Sequence, residues 1–518
     1  MPPFNIADEF ISRPAREHPD RPAMLGVERE VTYAGLEIEV NRAAQALRDA
    51  NCGPGDRVLI VLPDSVEFIA AFFGAAKIGA VAVPVNSMAR AADYRHYYSN
   101  SGATIAIVHS SVLAEFLTGV ESLPNVRLVV AGGTRRAVEY MSRAVTHWDD
   151  WLPARMSEIP SHPTALTDPA FFLYTSGSGG APKAVVHRHQ DMLATSRGFA
   201  QGVLGLRQDD RTFSVSKLFF AYGLGNGMYF PFSVGCGTIL SPDRPRPDRV
   251  IEILSRYRPT IFFSVPTFYA SLLSEEEKGT RADFSSVRLA VSAGESLPAE
   301  IFTRFRDRFG LEILDGIGST EMLHMFLSAR SGECRPGTCG REVPGYEARI
   351  LDDASEPVPA GEIGNLWVKG DSAFSEYWCM PELTARTKQG DWVLTGDKFT
   401  RDPDGLYRYC GRADDMMKVS GMWVSPSEVE NALLAHPAVV EAAVVAHSDS
   451  VGITRTMAFV VLRPSIAQPA GGLDSEIHAW VHTRLVGYKC PHEIRVVAEL
   501  PKTPTGKIQR FRLRQAQS

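Results

Sequence analysis

Short apolar runs alternate with helix-like stretches along the first four-fifths of the chain. Residues 57–62 (RVLIVL) have a strand-like pattern, residues 65–78 a helix-like pattern, and residues 81–85 a strand-like pattern again. Similar short apolar runs recur at residues 103–109, 126–131, 261–265 and 289–291. Because strands that alternate with helices usually pair in parallel, with the helices on the faces of the sheet, this pattern predicts an α/β architecture with largely parallel sheets.

The pattern changes after residue 351. Residues 352–364 are rich in Asp, Pro and Gly, which predicts turns. Residues 365–369 and 406–409 are expected to form strands of a smaller β unit. The whole chain has 518 residues, which is long enough for several hydrophobic cores.

A domain boundary is expected near residues 412–415. Beyond it the sequence predicts helices at 427–434 and 476–485, with Ser427 as a helix cap, and strands at 439–446, 456–462 and 493–500. These elements make an α+β unit of about 100 residues, a usual domain size. The prediction is a large N-terminal domain over residues 1–412, with α/β subdomains and a small β unit, followed by a small C-terminal domain over residues 413–518.

Composition and charge exclude several functions. The net charge of −6 at pH 7 lacks the basic excess that nucleic-acid binding usually requires. The most apolar stretch, residues 68–85, is interrupted by a lysine, glycines and a proline, so it predicts a buried helix that runs into a strand. The seven cysteines have irregular spacing, which favours reduced thiols over a disulfide framework or a zinc site. With no signal peptide visible at the N-terminus, we expect a cytoplasmic protein without a nucleic-acid or membrane partner.

The strongest chemical motif is residues 174–183 (YTSGSGGAPK), which follow the apolar run 170–173. Small residues let backbone N–H groups converge on phosphate oxygens, and the hydroxyl groups and Lys183 add further donors and a positive charge. Pro182 excludes a Walker A loop, which requires glycine at that position. The motif therefore predicts a phosphate-binding loop, with a flexible loop between a strand and a helix as the alternative.

A second motif, residues 315–321 (DGIGSTE), is weaker by itself. Its glycines are expected to allow a ligand to approach the backbone, and Glu321 offers a hard oxygen suited to Mg²⁺. A helix cap at Ser319 or Thr320 explains the same residues equally well.

The remaining motifs lie towards the C-terminus. In residues 395–397 (TGD), an aspartate in a tight turn can accept hydrogen bonds from a ribose diol, but an Asx turn is the simpler explanation. Residues 411–421 (GRADDMMKVSG) lie at the expected domain boundary, and residues 504–507 (PTGK) lie near the end of the chain.

In this order and spacing, the five motifs resemble those of the adenylate-forming superfamily of acyl-CoA synthetases, luciferases and adenylation domains. Residues 217–226 (KLFFAYGLGN) and 315–324 (DGIGSTEMLH) are more narrowly similar to the benzoate-CoA ligase branch. Other branches usually carry a tyrosine where this chain has Ile317. The resemblance implies an ATP-dependent aryl-CoA ligase. It would convert benzoate, 2-aminobenzoate or a hydroxybenzoate to the acyl adenylate with release of pyrophosphate, and then to the CoA thioester with release of AMP.

The resemblance also assigns roles to the matching residues. The ATP site would comprise Thr175, Ser176, Gly177, Ser178, Gly179, Gly180, Lys183, Ala293, Gly294, Glu295, Asp315, Gly316, Thr320, Asp397 and Arg412. The acyl pocket would be lined by Phe220, Ala221, Tyr222, Gly223, Gly316, Ile317, Gly318 and His324. The catalytic residues would be Lys507, Thr320 and Glu321, with Glu321 also binding Mg²⁺. The C-terminal domain would be mobile, with the hinge at Asp414 and a coenzyme A tunnel at Gly421 and Trp423.

Some alternatives remain open. The family loop usually has threonine where this chain has Gly179 and glycine where it has Ala184, which implies weaker ATP contacts but leaves the backbone donors in place. The pocket aromatics are also explained by core packing, and His324 by a buried histidine with its hydrogen bonds satisfied. An enzyme that loads a separate carrier protein and a non-catalytic nucleotide-binding protein are the alternative functions. The expected partners are an aromatic acid, coenzyme A and a downstream acyltransferase or carrier protein, and the expected oligomeric state is a monomer or homodimer.

Overall fold

The structure is a computed structural model that describes residues 3–26, 29–121, 123, 126–133, 145–154, 159–175, 181–419, 422–448, 454–463, 473–502 and 508–515. Within these residues, the helices up to residue 412 are α1 (Arg13–Glu17), α2 (Tyr33–Asp49), α3 (Val66–Lys77), α4 (Ala91–Ser101), α5 (Leu113–Val120), α6 (Trp148–Trp151), α7 (His189–Thr195), α8 (Ala221–Leu224), α9 (Phe230–Val234), α10 (Pro247–Tyr257), α11 (Pro266–Glu277), α12 (Ala299–Phe309) and α13 (Pro381–Thr387). Short π-helical segments occur at Asp8–Ser12, Ser196–Gln201 and Gly225–Tyr229.

The first sheet contains the strands predicted between residues 57 and 131. Its members are β3 (Arg57–Val61), β4 (Val81–Pro84), β5 (Ile105–His109), β6 (Arg127–Ala131), β7 (Val145–His147), β8 (Pro169–Thr175), β9 (Lys183–Arg188) and β19 (Glu376–Tyr377). They lie in the order β19-β9-β8-β4-β3-β5-β6-β7, parallel from β8 to β7 and antiparallel at β9 and β19.

The motif at residues 174–183 lies across a hairpin of this sheet. Thr175 ends β8, Lys183 begins β9, and these two residues are paired across the hairpin. The expected alternative of a loop between a strand and a helix is wrong, because buried Ala184 and Val185 continue the chain as a strand. Residues 176–180 lie outside the described residues.

The second sheet is also mainly parallel. Its members are β1 (Pro22–Gly26), β2 (Glu30–Thr32), β10 (Arg211–Ser214), β11 (Gly237–Leu240), β12 (Ile261–Ser264), β13 (Leu289–Ser292), β14 (Ile313–Gly318), β15 (Met325–Ser328) and β16 (Arg341–Glu342). The order is β16-β15-β14-β13-β12-β10-β11-β1-β2, with parallel pairing from β14 to β1. Ser264 pairs with Ser292, which pairs with Asp315, so the carboxyl ends of three strands lie at one edge.

The third sheet is the small β unit predicted after residue 351. It is antiparallel and contains β17 (Tyr346–Leu351), β18 (Gly364–Gly370), β20 (Lys388–Gln389), β21 (Trp392–Arg401) and β22 (Tyr407–Arg412). Residues 395–397 lie inside β21, so the expected tight turn at this motif is wrong. Asp397 pairs with Arg412 of β22, whereas Thr395 and Gly396 lie where the pairing of β21 with β18 shifts register, and Gly396 has a φ of +75°.

The C-terminal residues form their own α+β unit. Its elements are β23 (Met417–Val419), β24 (Met422–Val424), α14 (Pro426–Leu434), β25 (Val439–Ser448), β26 (Thr454–Leu462), α15 (Leu473–His482), β27 (Glu493–Val496) and α16 (Arg510–Gln515). Ser425, and not the predicted Ser427, caps α14, since its Oγ accepts from the Glu428 amide at 3.2 Å. Pro426 fixes the first helical position, which explains the earlier start of the helix.

Separate hydrophobic cores support the two parts of the chain. Every residue of helix α3 except Glu67 is buried, and Phe68, Phe72 and Phe73 are fully buried in the main core. The C-terminal unit is built around buried Val429, Val444 and similar residues of its own. None of the helices in the described ranges combines the length and apolar character needed to cross a membrane.

Candidate active site

Asp315 lies at the carboxyl edge of the second sheet and is 7% exposed. Its Oδ1 atom has no hydrogen-bond partner among the described residues. Burial raises the pKa of Asp315 well above its usual range, and the amides of Gly316 and Leu297 only partly oppose this rise. A buried carboxyl oxygen without a partner is costly, so it marks a position where a ligand hydrogen bond is expected.

Residues 293–295 follow β13 at the same edge as Asp315. Ala293 is buried, whereas Gly294 is exposed and has a φ of +89°, a conformation that favours glycine. Glu295 follows at intermediate burial. The structure therefore brings this predicted ATP-binding segment close to Asp315.

Gly316 and Gly318 pack closely against the chain's own backbone. A Cβ atom at Gly316 would lie 2.6 Å from the Leu327 carbonyl oxygen, and a Cβ at Gly318 would lie 2.3 Å from the His324 carbonyl oxygen. Both positions face the antiparallel strand β15 or the turn before it. The missing side chains therefore make room for the chain's own backbone, and ligand approach is not needed to explain them.

Thr320 and Glu321 lie on a short 3₁₀ turn, Thr320–Met322, directly after β14. Ser319 caps this turn, because its Oγ accepts from the Met322 amide at 3.2 Å, which confirms the cap alternative at Ser319. The Phe374 amide donates to the Glu321 carbonyl oxygen at 2.7 Å. The turn is therefore held by its own cap and by the segment before β19.

His187, on β9, also holds this turn. Its Nε2 lies 2.8 Å from the Thr320 carbonyl oxygen, and its Nδ1 lies 2.9 Å from Asp191 Oδ2. The side chains of His187 and Asp191 are fully buried. This contact connects the strand after the phosphate motif to the turn that carries Thr320 and Glu321.

Glu321 and Lys183 both contact Tyr377, a residue that the sequence did not indicate as functional. The Tyr377 hydroxyl donates to Glu321 Oε1 at 2.7 Å. Lys183 Nζ lies 5.6 Å from the centroid of the Tyr377 ring. A carboxylate and an ammonium group from distant motifs therefore lie on either side of one tyrosine.

Asp397 and Arg412 form an ion pair between β21 and β22. The two residues are paired in the ladder, and Arg412 Nη1 lies 3.0 Å from Asp397 Oδ1. Burial raises the pKa of the Asp397 carboxyl, and Arg412 opposes that rise. The charge of Glu321 acts on both groups, so the structure brings these predicted nucleotide-binding residues together.

Four of the predicted acyl-pocket residues pack against the main hydrophobic core. Phe220, Ala221 and Tyr222 are partly buried at the start of α8, and Ile317 on β14 is partly buried as well. The Tyr222 ring lies 5.4 Å from the ring of His324. Gly223 packs tightly, since a Cβ there would lie 2.1 Å from the Lys217 carbonyl oxygen.

His324 is buried, and among the described residues only one of its two ring nitrogens has a hydrogen-bond partner. Its Nε2 donates to Asn226 Oδ1 at 3.1 Å, whereas its Nδ1 has no partner in the described part of the chain. Burial lowers the pKa of His324 to about 3, so the ring is neutral at physiological pH. The alternative that His324 is a buried histidine with its hydrogen bonds satisfied is therefore correct for Nε2 and wrong for Nδ1.

Several predicted functional residues lie outside the described residues. These are Lys507, Gly421, and residues 176–180 of the phosphate motif, and the side chain of Trp423 is also undescribed. The Trp423 backbone pairs with Lys418 in the ribbon of β23 and β24. Asp414 is exposed in the short connection between β22 and β23, where the small β unit ends and the C-terminal unit begins.

Comparison with known proteins identifies the family. The family described as AMP-binding enzyme matches residues 11–378, and the AMP-binding enzyme C-terminal domain matches residues 428–507. The chain belongs to the AMP-binding enzyme family. These matches confirm the superfamily that the motifs resemble.

This AMP-binding enzyme has relatives along its whole length. A benzoate–CoA ligase of Thauera aromatica is 43% identical, covering 99% of this chain and 96% of that protein. A benzoate CoA ligase from Burkholderia xenovorans LB400 is 42% identical with a TM-score of 0.90, covering 99% of this chain and 100% of that chain. An anthranilate CoA ligase in complex with anthranoyl-AMP is 37% identical with a TM-score of 0.95, covering 100% of this chain and 98% of that chain. The α/β fold with a small C-terminal domain is confirmed.

Burial of Asp315 in this AMP-binding enzyme predicts a pH-dependent stability difference. The pKa of this carboxyl group is higher in the folded state than its ordinary value of about 3.8. Its contribution to the stability of the folded state is therefore fully present below about pH 3.8, and this contribution is lost as the pH rises through the folded pKa. The Asp315→Asn variant lacks this titration. Its free energy of unfolding, relative to the parent protein, is therefore expected to increase as the pH is raised above about 3.8, and to level off once the pH exceeds the folded pKa of Asp315.

Urea unfolding at a series of pH values measures this difference. The Asp307→Asn variant, which removes an exposed carboxyl group, is the control. A pH-independent difference for Asp315→Asn would show that Asp315 is not held protonated by burial.

Proposed function

We propose that this protein is an ATP-dependent aryl-CoA ligase. It activates a benzoate-type acid as the acyl adenylate with release of pyrophosphate, and then forms the aryl-CoA thioester with release of AMP. The observation that carries the proposal is that one stretch, residues 315–324, supplies groups to both halves of the site. The Tyr222 hydroxyl donates to the Ser264 carbonyl oxygen at 3.3 Å, and Ser264, Ser292 and Asp315 are neighbours across the sheet, so the polar edge of the sheet and the aromatic pocket are neighbours.

In the proposed nucleotide site, Asp315 Oδ1 accepts a hydrogen bond from the adenine amine, beside residues 293–295. This role explains why a buried oxygen is left without a partner in the protein. Asp397 and Arg412 bind the ribose diol, since one accepts and the other donates hydrogen bonds. Thr320 contacts the α-phosphate, and residues 175–183 hold the β- and γ-phosphates.

The chemistry of Glu321 fits a hard cation. Tyr377 occupies Oε1, and Oε2 has no hydrogen bond within the described residues, which leaves that oxygen for Mg²⁺. Bound Mg²⁺ supplies positive charge that offsets the charge of the triphosphate. The turn that Ser319 caps holds the Glu321 carboxylate in place for binding Mg²⁺.

The first half-reaction joins two anions. The substrate carboxylate attacks the α-phosphorus of ATP, forms the new P–O bond, and expels pyrophosphate. Lys507 contacts both the carboxylate and the α-phosphate, and its charge stabilises the negative charge that develops during attack. Lys183 offsets the charge of the departing pyrophosphate.

The second half-reaction requires a rearranged site. The thiol of coenzyme A attacks the acyl carbon, the C–O bond to the phosphate breaks, and AMP leaves. The C-terminal domain, residues 413–518, rotates about Asp414 and withdraws Lys507. The segment that contains Gly421 and Trp423 then faces the N-terminal domain, residues 1–412, and forms the tunnel for the pantetheine arm. The exposed position of Asp414 between two separately cored units supports this hinge.

The acyl pocket suits a planar ring of the size of benzoate. Phe220, Ala221, Tyr222, Ile317 and His324 surround it with flat or small apolar surfaces, which favour face and edge contacts with an aromatic ring. The relatives act on benzoate and anthranilate according to their names. Benzoate, 2-aminobenzoate and hydroxybenzoates are therefore the proposed substrate class.

Enlarging Ala221 is expected to change the ranking of these acids. The Ala221→Leu variant should reduce kcat/KM for ring-substituted benzoates by about tenfold or more relative to benzoate. Overpacking a filled pocket costs roughly 1–3 kcal/mol, and 1.4 kcal/mol corresponds to a factor of ten. Ala348→Leu, at a partly buried alanine of β17, is the matched control. An unchanged ranking in Ala221→Leu would place this segment outside the pocket.

Pyrophosphate release measured with a panel of acids, with and without coenzyme A, tests the function. We expect benzoate-type acids to exceed acetate and palmitate, and continuous turnover to require coenzyme A. Turnover that instead requires an added carrier protein would favour the carrier-loading alternative. Absence of pyrophosphate release with every acid would favour a non-catalytic nucleotide-binding protein.

A further inference from the structure

We propose that Tyr377 is a positioning residue of the nucleotide site, which orients the Glu321 carboxylate with its hydroxyl and supports the Lys183 ammonium with its ring. This inference rests on the proposed function, because that function places both groups near the triphosphate. Glu321 and Tyr377 are 56 positions apart in the chain, and Lys183 is far from both. Tyr377 itself lies in none of the motifs that the sequence analysis identified.

The backbone of Tyr377 is fixed to the strand that carries Lys183. Tyr377 pairs with Val185 in the antiparallel ladder between β19 and β9. The next residue, Trp378, donates its amide to the Ala184 carbonyl oxygen at 2.9 Å. The Tyr377 amide donates to Thr384 Oγ1 at 3.0 Å, on α13. The phenol ring therefore has a defined position relative to Lys183.

The same segment also holds the turn that carries Glu321. Ser372 Oγ donates to the Met322 carbonyl oxygen at 2.8 Å, and the Phe374 amide donates to the Glu321 carbonyl oxygen at 2.7 Å. The Phe374 ring packs 4.7 Å from the Tyr377 ring. Backbone and side chain of Glu321 are thus both held by residues 372–377.

The hydroxyl of Tyr377 acts as a donor to Glu321. Tyr377 is 4% exposed, and its phenol donates to the carboxylate oxygen Oε1 of Glu321, which can only accept. A donated hydrogen bond on Oε1 restricts rotation of the carboxylate, which presents Oε2 in one orientation. Preorganised ligands of this kind bind a cation with a smaller entropy loss.

The ring of Tyr377 acts separately on Lys183. A separation of 5.6 Å between an ammonium nitrogen and a ring centroid is within the range of cation–π attraction. The two actions are separable by mutation, because phenylalanine keeps the ring and loses the hydroxyl, whereas leucine loses both. The hydroxyl effect should depend on Mg²⁺, and the ring effect should not.

Calorimetric titration of the full-length protein with ATP, in Mg²⁺ and in excess EDTA, tests the inference. Tyr377→Phe is expected to weaken binding of Mg·ATP about tenfold, the usual scale for a hydrogen bond to a charged group, and to leave binding of ATP in EDTA unchanged. Tyr377→Leu is expected to weaken binding under both conditions. In the same Tyr377→Phe variant, acyl-adenylate formation should be slow at limiting Mg²⁺ and should return to the rate of the parent protein at high Mg²⁺.

Tyr407→Phe is the matched control, since the buried Tyr407 hydroxyl also donates to a glutamate, Glu342 Oε1, at 2.6 Å. Its thermal unfolding should shift as in Tyr377→Phe, while its nucleotide binding stays unchanged. The inference is overturned if Tyr377→Phe binds Mg·ATP like the parent protein, loses affinity equally in EDTA, or has the same affinity for Mg·ATP as the Tyr407→Phe variant. Failure of the parent protein to bind ATP at all would instead overturn the proposed function.

Discussion

Replacing Lys507 with alanine is expected to slow acyl-adenylate formation by about 100- to 1000-fold, the usual loss when one preorganised charged or hydrogen-bonding group is removed from a transition state. Thioester formation from a supplied acyl adenylate should stay close to the rate of the parent protein. The reason is that Lys507 stabilises attack on the α-phosphorus and leaves the site before the thiol attacks. Separate single-turnover assays of the two half-reactions measure this difference.

Lys502 supplies the control for this experiment. It lies five positions earlier in the same segment and forms an ion pair with Glu441 at 2.6 Å, within the C-terminal unit. Lys502→Ala removes the same side-chain type without removing a proposed catalytic group, and both half-reactions should be retained. Equal losses in both half-reactions of Lys507→Ala would contradict the role given to Lys507.

Replacing Asp414 with proline is expected to have the opposite effect. Proline fixes φ near about −65°, whereas a hinge must change its backbone angles between two states. Thioester formation should therefore collapse by about 100-fold or more, while adenylate formation survives if the fixed angle suits that state. Rapid-quench measurement of acyl adenylate and thioester in one time course separates the two effects.

The Asp414→Ala variant controls for loss of the side chain. It keeps the backbone N–H and the freedom of φ, so both half-reactions should remain close to those of the parent protein. Adjacent amides already hold the connection, since Ala413 donates to the Gly396 carbonyl oxygen and Asp415 to that of Arg412. An unchanged overall rate in Asp414→Pro would show that the hinge lies elsewhere.

Elements with a clear local pattern were predictable from the sequence. The apolar run at residues 68–85 is a buried helix followed by a strand, and the small β unit and C-terminal unit occur where the turn-rich segment and the new pattern predict them. Predictions from local composition were wrong where the position of a segment inside a sheet determines its conformation. Residues 395–397 have turn-forming composition, yet they lie inside β21, where Asp397 pairs with Arg412 of β22.

Side-chain convergence was only partly predictable. Motif resemblance brought Glu321, Asp397 and Arg412 into one site, and electrostatic interaction among them agrees with that placement. Tyr377 and His187 were missed because their partners, Glu321 and Thr320, lie 56 and 133 positions away. A hydrogen bond across such a separation depends on the packing of two sheets and leaves no local spacing signal.

Oxygen-isotope transfer from the acid to AMP tests the central claim most directly. The acid that turns over fastest in the panel is supplied with both carboxylate oxygens as ¹⁸O, together with ATP and coenzyme A, and the products are analysed by mass spectrometry. Attack of the carboxylate on the α-phosphorus, followed by cleavage of the acyl C–O bond, leaves one ¹⁸O in AMP, one in the thioester and none in pyrophosphate. Formation of ADP with ¹⁸O in inorganic phosphate, or of AMP without label, would contradict an acyl-adenylate mechanism.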